Sequence, residues 1–115
     1  YELDERFTHG AKIVYDQSEA FRGADFIYAK NWAAYRDPVY GKILSKDMSW
    51  MVDSRKMELT DNAYFMHCLP VRRNMIVSDR VLDSPASLVI PQAANRETAA
   101  QAVIQSILET LLKQH

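Results

Sequence analysis

Lys12-Ile13-Val14-Tyr15, Ser18-Glu19-Ala20-Phe21 and Asp25-Phe26-Ile27-Tyr28-Ala29 follow one another closely, and their reading decides the fold class. Lys12–Tyr15 is a β-branched and aromatic run after Gly10 and reads as a strand. Ser18–Phe21 reads as a short helix closed by Gly23, which suits the left-handed backbone that ends helices. Asp25–Ala29 is a second apolar run without alternation, the pattern of a strand covered on both faces. Strand, helix and strand in so short a span form one βαβ step, which joins parallel strands.

Working outward, Lys30 to Asp47 is broken by Asp37-Pro38 and Gly41, with Trp32, Tyr35 and Tyr40 scattered through it. It reads as a long loop, and such loops at strand ends often carry function. Met48, Met51, Val52 and Leu59 have helical spacing, which predicts a helix between Asp47 and Leu59. Ala63–His67 is a third strand, stopped at Cys68-Leu69-Pro70. Ser78–Leu82 reads as a short helix and Ser87–Ile90 as a fourth strand, ended by Pro91. Asn95 is a candidate N-cap for a last helix with Ala99, Ala102, Val103, Ile107, Leu108, Leu111 and Leu112 on one stripe. Glu97 near its start and Lys113 near its end suit the helix dipole.

The expected architecture is α/β: a mostly parallel sheet flanked by helices, Rossmann-like, with a long C-terminal helix. Ligands of such sheets collect at the carboxyl ends of the strands. Three segments meet there: Lys30-Asn31-Trp32, His67-Cys68-Leu69-Pro70, and Gln92 to Arg96.

Composition narrows the function. The 115 residues amount to one domain, with 48% hydrophobic and 25% charged residues, enough for a core. Fourteen basic against fifteen acidic residues leave a net charge of −1, which argues against a phosphate-backbone binder and so against a nucleic-acid partner. No apolar run is long enough to span a bilayer and no signal-peptide core is present, so no membrane partner and a cytoplasmic location are expected. The single Cys68 excludes an internal disulfide framework and a cysteine zinc cage. None of the three glycines sits in a phosphate-binding loop. With Tyr1 where an initiator Met would stand, either this is no nucleotide enzyme or part of the protein lies elsewhere.

His67-Cys68 invites a thiol-nucleophile reading, but neighbours on a strand point to opposite faces. The alternatives are a buried structural Cys and a role for the backbone, because a strand ending in Leu-Pro leaves the Leu69 carbonyl free to accept from an amine. Arg72 and Arg73 follow; guanidinium forks match carboxylate and phosphate oxygens, and Arg72 is nearer the crevice. Arg96, read as lying in the first turn of the last helix, opposes the dipole preference there; an oxyanionic ligand would account for it. Lys30 leaves a strand directly. Trp32 and Tyr35 read as packing residues as readily as stackers. His9 and His115 lie at polar ends with no metal-ligand spacing, so no metal site is expected.

His67-Cys68-Leu69-Pro70 with Arg72-Arg73-Asn74, then Ala93-Ala94-Asn95-Arg96-Glu97, resembles the aspartate/ornithine transcarbamylase superfamily. Gly23-Ala24-Asp25-Phe26-Ile27-Tyr28 is similar to the strand before its amino-acid-binding loop. The likeness covers nearly the whole chain. In ornithine transcarbamylases that loop carries an Asp, paired with the substrate α-ammonium, and a Ser-Met-Gly motif. Here it reads Lys30-Asn31-Trp32-Ala33-Ala34-Tyr35. A lysine repels an ammonium and suits an acylated, uncharged α-nitrogen beside a carboxylate. Two unit charges about 4 Å apart at a surface-like dielectric interact by about 4 kcal/mol, enough to set substrate class. The pattern resembles the acylornithine transcarbamylases, the succinylornithine branch above the acetylornithine one.

The resemblance implies carbamoyl transfer from carbamoyl phosphate to the δ-amine of an Nα-acylornithine, in arginine biosynthesis, without cofactor or metal. It implies that residues 1–115 are the second, amino-acid-binding domain. A first domain carrying Ser-x-Arg-Thr and His-Pro-x-Gln motifs would lie outside the chain, and the full-length enzyme would be a homotrimer. The chain by itself is expected to be inactive. Carried over by position, the Leu69 carbonyl and Cys68 receive the attacking amine, Arg96 donates to the carbamoyl oxygen, and Lys30 and Arg72 fix the carboxylates. Three alternatives stand beside it: an ordinary ornithine carbamoyltransferase, a non-catalytic receiver-like α/β module, which lacks its acidic cluster, and a flavin or nucleotide domain, which lacks its glycines.

Overall fold

The computed structural model describes residues 5–34 and 38–113. Tyr35, Asp37 and His115 lie outside the described residues. The elements are α1 (Gln17–Phe21), β1 (Phe26–Ala29), α2 (Ser54–Met57), β2 (Tyr64–His67), α3 (Asp79–Leu82) and α4 (Val89–Leu112), with 3-10 turns at Glu5–Phe7 and Met48–Trp50. The fold is α/β, and β1 and β2 pair in parallel, Phe26 opposite Tyr64 and Ala29 opposite His67.

Local chemistry explains the short helices. Asp16 caps α1 by accepting from the Ser18 N–H at 2.8 Å, and Asp53 caps α2 by accepting from Lys56 at 3.0 Å. Gly23 follows α1 with φ 69°, the left-handed conformation that its lack of a Cβ permits. Ser78 is the N-cap of α3.

The core lies on one face of the sheet. Phe21, Ile27, Val52, Ala63, Phe65, Val77, Val81 and Val89 form a single buried cluster. Single parallel bridges extend the pairing: Val52 to Val77, and Phe65 to Ser87.

Six expectations need correction. Lys12–Tyr15 forms no strand; Ile13 and Tyr15 are exposed, and no described strand lies beside it to receive its hydrogen bonds. β1 is not covered on both faces: Ile27 is buried while Phe26 and Tyr28 are exposed, and Phe26 stacks obliquely on Tyr64 at 5.9 Å. The helix expected between Asp47 and Leu59 is split in two, because Val52 leaves it to bridge Val77. The Val52 N–H donates to the Ile76 carbonyl (2.8 Å), and the Ser78 N–H donates to the Val52 carbonyl (2.9 Å).

The fourth strand shrinks to the bridge at Ser87, because α4 begins at Val89. Pro91 is its third residue, where an absent N–H leaves no hydrogen bond unmade. Asn95 is therefore a mid-helix residue and not the N-cap, and Arg96 lies beyond the first turn.

α4 has 24 residues and runs away from the core. Val103, Ile107, Leu108, Leu111 and Leu112, most of the expected stripe, are exposed. The radius of gyration is 17.3 Å and the longest dimension 55 Å, whereas a compact chain of this length has a radius near 13 Å. Among the described residues no helix is long and apolar enough to cross a membrane.

Candidate functional site at the strand ends

The register of the sheet builds the site. With Ala29 opposite His67, the residues that leave the two strands, Lys30 and Cys68, are neighbours. The Lys30 Nζ donates to Cys68 Sγ at 3.6 Å. One residue beyond Lys30 and two beyond Cys68, the Asn31 Nδ2 donates to the Pro70 carbonyl at 3.0 Å. That carbonyl can only accept, so the amide orientation is fixed and Oδ1 faces away from it. Asn31 Oδ1 is buried without a partner. The loop after β1 is thus fastened to the loop after β2 at two points.

His67, the last residue of β2, is 1% exposed, and neither ring nitrogen has a partner. Burial, with the Lys30 charge adding to it, holds its imidazole below the usual histidine range; the polar backbone of Cys68 pulls the other way. The ring is neutral at pH 7. Its backbone N–H donates to Gln92 Oε1 from α4 at 3.1 Å. Arg96 stands four residues beyond Gln92, the next position on the same helix face.

Of the expected site residues, the fold brings Lys30 and Cys68 into contact and sets Leu69, itself exposed, directly after them. Arg72 and Arg96 are exposed, and neither side chain makes an ion pair within the described residues. Arg73 is different: it forks onto Asp83 (2.7 and 2.8 Å) and reaches Asp79 (2.8 Å). Those bonds raise its pKa and lower both carboxylates'. Asn74, at φ 53°, accepts from the Asp79 N–H and donates to its side chain. Arg73 and Asn74 therefore anchor α3.

Sequence reasoning assigned no role to Asn31 or Gln92, and weighed the His67 ring only as a partner of the Cys68 thiol. Asn31 adjoins a flagged residue and Gln92 opens a flagged segment, but neither has a spacing that marks it. Below the strand end, Leu69, Pro70, Val71, Leu82, Val89 and Ile90 line most of a 590 Å³ groove. Among the described residues no group of three His, Cys, Asp or Glu side chains could hold a metal ion.

The parallel α/β unit carries its polar groups at the carboxyl ends of adjacent strands, where open α/β sheets bind their ligands. The family model described as "Aspartate/ornithine carbamoyltransferase, Asp/Orn binding domain" matches residues 2–107, and the chain belongs to that family. Among its relatives, N-succinylornithine carbamoyltransferase of Bacteroides fragilis (strain 638R) is 62% identical over 111 residues, 96% of this chain and 35% of the relative. N-acetylornithine carbamoyltransferase of Xylella fastidiosa (strain 9a5c) is 37% identical, over 93% of this chain and 36% of the relative. The crystal structure of acetylornithine transcarbamylase complexed with acetylcitrulline superposes with a TM-score of 0.77 at 36% identity, covering 92% of this chain and 36% of that one. The chain thus spans about a third of the length of the curated relatives it matches.

Proposed function

We propose that residues 1–115 are the amino-acid-binding domain of an Nα-acylornithine carbamoyltransferase, the succinylornithine enzyme ahead of the acetylornithine one. The observation that carries this is Lys30. The parallel register sets a cation at the mouth of the site, 3.6 Å from Cys68 Sγ, where the ornithine branch has an acidic residue. A free α-ammonium is repelled there; an acylated nitrogen beside a carboxylate is accepted. The identity of 62% to a succinylornithine enzyme supports the same branch.

In this reading the chemistry is one acyl-type transfer. The neutral δ-amine attacks the carbamoyl carbon of carbamoyl phosphate, the C–O bond to phosphate breaks, and the amine nitrogen gives up a proton that the leaving phosphate takes up. The products are the acylcitrulline and phosphate. The Leu69 carbonyl, with Cys68 beside it, accepts a hydrogen bond from the amine and aims its lone pair, a proximity effect. Arg96 donates to the carbamoyl oxygen as charge develops there. Lys30 and Arg72 hold the carboxylates. Carbamoyl phosphate is gripped by a first domain outside these residues, against which the apolar stripe of α4 packs. The working enzyme is a cytoplasmic homotrimer of arginine biosynthesis and uses no cofactor.

The test is product identification. Full-length enzyme supplied with carbamoyl phosphate and N-succinylornithine is expected to release phosphate and N-succinylcitrulline in equal amounts. Carbamoylation of free ornithine alone would overturn the reading.

A further inference from the structure

Gln92 closes the sheet where the fourth strand stops short. On the edge of β2 away from β1, the Phe65 N–H donates to the Ala86 carbonyl (2.9 Å) and the Phe65 carbonyl accepts from Leu88 (2.8 Å). In a parallel ladder the next N–H on that edge is that of His67, and its acceptor is the Leu88 carbonyl. But α4 takes that carbonyl: the Gln92 N–H donates to it at 2.8 Å. The same residue supplies the replacement, its Oε1 accepting the His67 N–H at 3.1 Å. A backbone N–H can only donate, so the oxygen must face it.

The consequence reaches the site from both sides. Arg96 lies one turn further on the same face of α4, about 6 Å along the axis. Cys68 and Leu69 follow His67 directly. α4 has no side-chain cap at its start, and from Ala94 onward its residues are exposed. The Gln92 side chain therefore ties the helix that carries Arg96 to the last residue of the strand, two residues before the Leu69 carbonyl.

We infer that Gln92 is a positioning residue for carbamoyl transfer: it fixes Arg96 relative to the Leu69 carbonyl without touching substrate. The inference rests on the function proposed above. It is tested in the full-length enzyme with Gln92→Met, which keeps length and loses the acceptor, Gln92→Glu, which keeps one, Arg96→Ala, and the Gln92→Met/Arg96→Ala double variant. For each, kcat and the KM for acylornithine are measured at saturating carbamoyl phosphate.

Gln92→Met is expected to lower kcat by about 10- to 100-fold, since a misplacement of about 1 Å costs on the order of 100-fold. The KM is expected to stay within about threefold, because Lys30 and Arg72 stand on other segments. Gln92→Glu is expected to recover most of the lost kcat. In the Arg96→Ala background, Gln92→Met is expected to cost less than about threefold, there being nothing left to position. If Gln92→Met does not fold, Gln92→Asn, whose oxygen falls short of His67, makes the same comparison.

An equal loss in both backgrounds, an unchanged kcat, or a raised KM with kcat intact would overturn the role of Gln92. Any of these leaves the proposed function standing. An Arg96→Ala enzyme with full kcat would instead sink both the coupling and the assigned chemistry of Arg96.

Discussion

His67 is the residue whose sequence reading changed most. Beside Cys68 it suggested a nucleophile pair; in the fold it is a buried, neutral imidazole with both ring nitrogens unpartnered. Because the folded state lowers its pKa, the unfolded chain binds the proton more readily. Its contribution to stability is therefore complete above the unfolded value of about 6.5 and falls away as pH drops from there through the folded value. The thermal midpoint is expected to fall between pH 7.5 and pH 5.5, and His67→Leu to narrow that gap. An unchanged gap would place the acid sensitivity elsewhere. The positions of Lys30, Cys68 and Leu69 at strand ends were legible in the sequence because each follows directly on an apolar run that forms a strand. Asn31 and Gln92 were not, because a side-chain amide acts here through single backbone partners 39 and 25 residues away. Local pattern carries no trace of such contacts.

Among the elements, the strands that form the sheet were read to within a residue, and the failures share one cause. Lys12–Tyr15 has strand chemistry without a described neighbour, and Ser87–Ile90 yields to a helix because its carbonyls are claimed by α4. The split at Val52 likewise reflects a tertiary pairing with Val77 that helical spacing cannot show. The segments around that split are held by Lys56. Its Nζ donates to Gln17 Oε1 (2.6 Å) at the start of α1, to the Met51 carbonyl (2.8 Å), and to the Ser49 carbonyl. Burial lowers its pKa, with the charges of Asp53 and Asp47 opposing. Lys56→Met removes a charged donor from three oxygens and is expected to lower stability by about 1.5–3 kcal/mol. A urea midpoint shift with unchanged slope measures it; no shift would mean the three contacts are idle in solution.

At the scale of the whole molecule, the chain carries one half of a reaction. In the proposed reading its polar groups address an amine, a carbamoyl oxygen and carboxylates, and no phosphate-binding loop stands in the sequence. The 115-residue chain alone is therefore expected to give no acylcitrulline from carbamoyl phosphate and acylornithine, and turnover above background would show that the site is divided differently. The central claim is that the charge at Lys30 selects an acylated substrate, and kcat/KM tests it most directly. In full-length enzyme this is measured for ornithine, N-acetylornithine and N-succinylornithine, with and without Lys30→Ala. The account predicts a preference for acylated ornithine of at least about 100-fold, equivalent to about 2.7 kcal/mol, which Lys30→Ala largely removes. Equal use of free ornithine, or a Lys30→Ala enzyme indistinguishable from the parent, would contradict it.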